Sequence, residues 1–169
     1  MVRIGLTLAF SSVLVYCVSM TPNLPYASHT LEEALVAFRR EHGLETKYRE
    51  MSEEAQTLFE RHDIIHVLFG LSTELRDEAK ADGWTLLGSD ISFGEVRKFA
   101  ALPEEKQLLQ DLGWAALVKG LLRALPDYAG MAWRARKLNK RWRWADNAQY
   151  RDMPVAEIRR EFGIDAALS

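Results

Sequence analysis

The stretch from residue 53 to residue 69 constrains the fold most, because its apolar residues recur at intervals of three and four. That spacing places them on one stripe of an α-helix, as in helices that pack against a core. Ser52 can cap this helix at its start, and Gly70 is a natural stop. His62 and His66 fall in the middle of the stripe. The predicted helix therefore buries two imidazoles, and a buried imidazole needs a hydrogen bond or a ligand.

Similar helical patterns occur near both ends of the chain. Thr30 and Glu33 form a capping-box pattern before a helix that Gly43 closes. A last helix is predicted to follow Pro154 and to end at Gly163. Each pattern combines a start signal with a glycine at the expected end, so both predict helices with defined bounds.

The middle of the chain carries further boundary signals. Ser72 or Thr73 is expected to cap a short helix that Gly83 ends, followed by an irregular stretch. Pro103 suits the first turn of a long helix, which Pro126 is expected to terminate.

The fold class follows from these patterns. No segment alternates polar and apolar residues between turn signals, so the sequence predicts an all-α fold. A chain of 169 residues, 48% of them hydrophobic, fits a single domain that spans residues 1–169. Short connections favour antiparallel neighbours, in a bundle of about six to seven helices.

Residues 1–21 form an apolar amino-terminal segment, in which no charge occurs between Ile4 and Met20. Three interpretations stay open. The segment is a secretory signal, a membrane span at the short limit of roughly 17 residues, or a buried or membrane-facing first helix.

Composition excludes several functional classes. The net charge is -2 and the pI is about 6.1, so nucleic-acid binding is not expected. A single cysteine, Cys17, allows neither an intramolecular disulfide nor a thiolate metal cluster. The sequence also lacks a Gly-rich phosphate loop and a GxSxG nucleophile elbow. A metal site would therefore need histidine and carboxylate ligands.

Such ligands occur together around the two histidines. His62 and His66 are four residues apart, which aims both side chains at a common point, and Asp63 lies beside them. Glu78 would lie about 18 Å beyond His66 in a straight helix, so the chain must turn at Gly70 to bring it back. Two satisfied core histidines are the alternative interpretation. As a metal site, the set favours Zn²⁺ first, with Fe²⁺, Mn²⁺ or Mg²⁺ as alternatives.

The sequence "HDIIHVLFGLSTELRDE" resembles the signature of the coenzyme Q (ubiquinone) biosynthesis protein four family, which is HDxxH, eleven residues and then Glu. The signature maps onto His62, Asp63, His66 and Glu78 as metal ligands. Residues 153–164, "MPVAEIRREFGI", are similar to the closing segment of that family.

The resemblance implies an all-helical, membrane-associated protein that binds a divalent metal and an isoprenoid lipid. Its implied activity is that of a metal-dependent lyase, namely oxidative decarboxylation and hydroxylation at ring carbon one of a polyprenyl-hydroxybenzoate. We expect Asp63 or Glu78 to move a proton when not ligating. Other ubiquinone biosynthesis proteins are expected partners, and a homodimer is a further expectation. The implied location is peripheral, on the cytoplasmic side of a bacterial inner membrane or the matrix side of the mitochondrial inner membrane.

Two other functions stay open. The chain could be a non-catalytic scaffold that presents a polyprenyl intermediate to other enzymes. It could also be an HD-type phosphohydrolase, for which His29 or His42 would supply the additional upstream histidine.

Helical patterning resumes from residue 127 to about residue 141, and residues 131–151 interleave basic residues with tryptophans. Trp133, Trp142 and Trp144 suit an anionic membrane interface, single-stranded nucleic acid or simply a solvated helix face with core tryptophans. A membrane surface is the partner we expect here. The basic residues are Arg134, Arg136, Lys137, Lys140, Arg141 and Arg143.

Overall fold

The computed structural model describes residues 24–103 and 114–169, and these residues form an all-α protein without a β-strand. This confirms the predicted fold class. The predicted amino-terminal segment, residues 1–21, lies outside the described residues. The described helices are α1 (Leu31–Glu41), α2 (Glu45–Glu50), α3 (Glu53–Phe69), α4 (Leu75–Gly88), α5 (Phe93–Ala101), α6 (Trp114–Ala135), a 3-10 helix (Ala148–Tyr150), α7 (Val155–Phe162) and α8 (Ile164–Leu168).

The predicted signals at the ends of α1, α3 and α7 are confirmed. Thr30 caps α1 and forms a capping box with Glu33, and Ser52 caps α3 by accepting a bond from a backbone N–H of the first turn. Gly70 ends α3 in the left-handed conformation, with φ of 65°, and Gly163 ends α7 with φ of 74°. Residues with a Cβ rarely adopt these angles, so the glycines fix where the helices stop.

The predicted end at Gly83 is wrong, because α4 continues to Gly88. Gly83 is a packing residue. A Cβ on it would lie 2.6 Å from a ring carbon of Tyr128 and 2.7 Å from the Met131 methyl group, both on α6. The absence of a side chain therefore lets two helices approach closely, and tertiary packing outweighs the glycine's weak helix propensity.

The predicted end at Pro126 is also wrong, because α6 continues through it to Ala135. The separate helix predicted from residue 127 is therefore the second half of α6, and it ends before residue 141. The residue that caps the start of α4 is Glu74 rather than the predicted Ser72 or Thr73, and its side chain makes no capping hydrogen bond. Part of the stretch expected to be irregular forms α5.

Helix α3 lies at the centre and packs against α1, α4, α7 and α8, while α4 also packs against α6. The stacked rings of Phe69 and Trp84, with centroids 4.4 Å apart, join α3 to α4. Trp142 and Trp144 are core residues, whereas Trp133 is 65% exposed. Two of the three tryptophans proposed for a membrane interface are therefore buried. Other large core side chains are Phe38, Ile64, Ile65, Leu68 and Phe162.

Arg159 on α7 anchors the carboxyl end of α3. Its guanidinium donates hydrogen bonds to the backbone carbonyls of Leu68, Val67 and Pro25, at 2.8, 2.6 and 2.9 Å. A cation stabilises a helix at this end, where the last carbonyls lack partners. Burial lowers the pKa of Arg159 to about 10, so the side chain still carries its charge at neutral pH.

Among the described residues, no helix is both long enough and apolar enough to span a bilayer.

Candidate metal centre

Helices α3 and α4 bring three of the four predicted ligands together. One ligand atom each from His62, His66 and Glu78 lies within 4.8 Å of the others. The Nε2 atom of His66 is 3.3 Å from Oε2 of Glu78. Both histidines are buried, and the Glu78 side chain is 39% exposed. We call these three residues and Asp82, described below, the histidine cluster.

The local sequence explains why Glu78 returns to the histidines. Gly70 turns the chain at the end of α3, and a Cβ on it would lie 2.8 Å from Leu24. The carboxylate of Asp77 then accepts bonds from the N–H and the hydroxyl of Ser72, which holds the start of α4. The turn and this contact make α4 antiparallel to α3, as the predicted hairpin required.

Asp82 is a member of the site that the sequence interpretation missed. Its Oδ1 atom lies 3.3 Å from Nε2 of His62. Asp82 follows Glu78 by four residues, as His66 follows His62, so two pairs at helical spacing face each other across the hairpin. The spacing of four residues in both helices was the sequence signal that could have revealed Asp82. In antiparallel helices, His62 on α3 faces Asp82 on α4, and His66 faces Glu78.

Asp63 lies apart from the other predicted ligands. Its carboxylate accepts hydrogen bonds from Nε of Arg39, at 3.0 Å, and from the hydroxyl of Tyr48. Arg39 also donates to Glu60, which in turn pairs with Arg151. We call these five residues the ionic network. It joins α1, α2 and α3 to the segment before α7. Neither Asp63 nor Asp82 belongs to the group of described residues whose ligand atoms all lie within 4.8 Å of one another.

The charges in the histidine cluster shift one another's pKa values. Burial alone would lower the pKa of His62, but the carboxylates of Asp82 and Glu78 outweigh it and raise the pKa. Burial alone would raise the pKa of Glu78, but His66 beside it outweighs burial and lowers the pKa. For Asp63, burial raises the pKa and is only partly offset by Tyr48 and Arg39. The raised pKa favours a protonated His62 beside the two carboxylates, and the lowered pKa favours an ionised Glu78. A bound ion would have to replace the proton on His62.

The residues present fit a divalent metal ion. Two ligands of a tetrahedral ion with bonds of about 2.0–2.1 Å lie about 3.3 Å apart, which is the separation of His66 and Glu78. Among the described residues, Nδ1 of His66 is buried without a hydrogen-bond partner. Imidazole and carboxylate together suit Zn²⁺, Fe²⁺ or Mn²⁺. The spacing and the donor types are therefore both compatible with a metal centre.

A pocket of about 280 Å³ opens beside His62 and Asp82. Leu86, Ile91 and Val96 contribute apolar walls, and Tyr128 lies at its edge with Thr85 and Trp144. Within the described part of the chain, the Thr85 hydroxyl and the Trp144 indole N–H have no hydrogen-bond partner. A larger groove, of about 600 Å³, lies along α1 and contains no member of the histidine cluster.

The histidines considered for a phosphohydrolase site lie elsewhere. Nδ1 of His42 is 3.1 Å from the hydroxyl of Thr73, and neither His42 nor His29 belongs to the metal-ligating group found among the described residues. This arrangement gives the phosphohydrolase interpretation no geometric support.

Fold and site together describe an all-helical protein with a candidate metal centre in a helical hairpin. No protein-family model, no curated protein and no solved structure matches the chain.

Proposed function

We propose that this protein is a metal-dependent protein of ubiquinone biosynthesis, and that it acts at ring carbon one of a polyprenyl-hydroxybenzoate. The observation that carries the proposal is the convergence of His62, His66 and Glu78 across the hairpin. These residues belong to the signature whose resemblance to the ubiquinone family suggested the function. The enzymatic activity, the substrate and the membrane association are all parts of this proposal.

His62, His66 and Glu78 would hold the ion. A bound divalent ion would supply Lewis-acid chemistry, which polarises a carboxylate or phenolic oxygen of the substrate. Zn²⁺ stays the sequence-based prediction, although a redox role for the ion would require iron, because zinc has none. Asp63 is proposed as a positioning residue, because its bonds to Arg39 and Tyr48 hold its carboxylate within the ionic network.

The pocket beside His62 is suited to a small apolar group of the substrate. Its volume is near the lower end of the range for ligand pockets, about 300–1,000 Å³, so it suits a single ring. Leu86, Ile91 and Val96 would give the ring apolar contacts. Glu78, with a partly exposed side chain, would move a proton when it is not ligating the ion.

In the proposed reaction, the bond between ring carbon one and the carboxyl carbon breaks and carbon dioxide leaves. An oxygen from water joins the ring carbon as a hydroxyl group. The two electrons and two protons released pass to dioxygen, which is reduced to hydrogen peroxide. The chain would work at a membrane surface with other ubiquinone biosynthesis proteins, since its substrate carries a polyprenyl tail.

Complementation of a strain that lacks the ubiquinone protein tests the proposal. The wild-type chain should restore ubiquinone, and His62→Ala and Glu78→Gln variants should not. Asp127→Asn, on the surface of α6, is the matched control and should restore it. Failure of the wild-type chain would contradict the proposed pathway. Decarboxylated product formed by purified protein would support an enzyme, and restoration without such product would support the scaffold alternative.

A further inference from the structure

We propose that Asp82 is the fourth protein ligand of the metal ion, in the place that the sequence signature gives to Asp63. The inference rests on the metal centre of the proposed function and extends it to a residue outside the signature. The ion would then have two imidazole and two carboxylate ligands. Each facing pair, His62 with Asp82 and His66 with Glu78, would supply one of each.

The distances within the two facing pairs support Asp82 as a ligand. His66 and Glu78 approach to 3.3 Å, and His62 and Asp82 approach to the same distance. This is about the separation of two ligands on one tetrahedral ion. An ion held by His62, His66 and Glu78, whose ligand atoms lie within 4.8 Å of one another, would lie beside the His62 ring that Asp82 already contacts. Asp82 lies outside that group of three, so it would reach the ion by rotating its side chain.

Asp63 already has other hydrogen-bond partners. Adjacent helical residues do not face one another, so the Asp63 side chain leaves α3 in a different direction from that of His62. Its carboxylate is 6% exposed and accepts bonds from Arg39 and Tyr48. Movement of Asp63 to the ion would leave those donors without their partner in a partly buried place, which costs free energy.

The Asp82 side chain has room to rotate. It is 60% exposed, so it can rotate toward an ion without opening the core. It also lines the pocket beside His62, as His62 itself does.

The test is a competition titration of metal-free protein with Zn²⁺ against a chelator of known affinity. Asp82→Ala should weaken zinc binding about 10–100-fold or more, since even the loss of an outer-shell partner costs that much. Asp63→Asn should weaken binding less than Asp82→Ala does, because its amide oxygen can still accept the hydrogen bond from Arg39. Asp127→Ala serves as the matched surface control. Circular dichroism of each metal-free variant verifies that the helices are intact.

A second variant separates a ligand from a residue that merely orients His62. Asp82→His replaces a hard oxygen ligand with imidazole, which favours zinc over manganese. The ratio of Zn²⁺ to Mn²⁺ affinity should therefore rise about tenfold or more, which a positioning role would not produce.

The outcomes distinguish the two proposals. Wild-type zinc affinity in Asp82→Ala, or an unchanged metal preference in Asp82→His, would overturn the role of Asp82 and leave the metal centre standing. A larger loss in Asp63→Asn than in Asp82→Ala, with its helices intact, would return the ligand to Asp63. A wild-type protein that binds neither metal would overturn this inference and the metal centre together.

Discussion

Two groups of polar side chains meet at helix α3, and they differ in burial. In the ionic network, Arg39 donates to Asp63 at 3.0 Å and to Glu60 at 3.2 Å, and the Asp63 side chain is 6% exposed. In the histidine cluster, both pairs lie at 3.3 Å, and the Glu78 and Asp82 side chains are 39% and 60% exposed. The network acid is therefore held by its donors, whereas the acids of the cluster have room to turn toward a ligand.

The comparison teaches that neighbours in a motif need not share a role. His62 and Asp63 are consecutive, yet they belong to different groups because adjacent side chains point in different directions on a helix. Mutations in the network should therefore change stability, and mutations in the cluster should change metal binding. The three predictions below test that separation, in order of decreasing effect.

Replacement of Arg39 by Met should have the largest effect on stability. It removes the guanidinium that pairs with Asp63 and leaves a buried carboxylate, a change that costs about 3–5 kcal/mol in fully buried pairs. Because the Arg39 side chain is 18% exposed, we expect a loss of about 2–3 kcal/mol in the free energy of unfolding. Urea denaturation measures it.

The neighbouring Arg40 provides the control for that experiment. It is exposed on the same helix, so Arg40→Met should change the free energy of unfolding by less than about 0.5 kcal/mol. Equal losses for the two variants, or a folded Arg39→Met protein that no longer binds zinc, would break the comparison.

Gly70→Ala should act on both stability and metal binding, because Gly70 forms the turn between α3 and α4. The left-handed backbone costs a residue with a Cβ about 1–2 kcal/mol, and the Cβ would also meet Leu24 at 2.8 Å. Gly43→Ala is the matched control, with φ of 66° but no atom within 4 Å of the new Cβ. We expect Gly70→Ala to be the more destabilised in thermal unfolding and to lose zinc affinity, whereas Gly43→Ala should keep it. Equal zinc affinities of the Gly70→Ala and Gly43→Ala proteins would argue that the turn at Gly70 does not position the metal ligands.

Gly83→Ala should have the smallest of the three effects. Its Cβ would meet the flexible end of Met131 and the rigid ring of Tyr128, whose hydroxyl donates to the Ala79 carbonyl. Only part of the overlap can relax, and we expect about 1–2 kcal/mol of destabilisation. Gly130, on α6, has open space around its Cβ position, so Gly130→Ala should instead stabilise by about 0.5–1 kcal/mol. Chemical denaturation of both variants measures the difference. A stabilised Gly83→Ala protein would show that close packing does not set this position.

The sequence predicted the fold class and the ends of α1, α3 and α7, because local signals determine them. Gly70 and Gly163 need a left-handed conformation, and Thr30 bonds within its own first turn. The end predicted at Gly83 was wrong because the residues packed against Gly83, Tyr128 and Met131, come from another helix. The end predicted at Pro126 was wrong because α6 continues through it. A glycine that ends a helix and a glycine that admits a neighbour look alike in a sequence.

The candidate site, like the fold, could be predicted only where local spacing determines it. The spacing of His62 and His66, with a turn at Gly70, was sufficient to place Glu78 opposite them. The partners of Asp63 were not predictable, because Arg39 and Tyr48 come from two other helices. Asp82 could have been found from its spacing to Glu78, but only after the hairpin was assumed.

The most direct test of the account is the effect of zinc on unfolding of the wild-type protein and of His66→Ala. Zinc at a free concentration of about 100 times its dissociation constant should raise the wild-type free energy of unfolding by about 2.7 kcal/mol. The His66→Ala protein, folded without metal, should show no such increase at the same concentration. Equal responses of the two proteins, or no response in the wild type, would contradict a metal centre built on the histidine cluster.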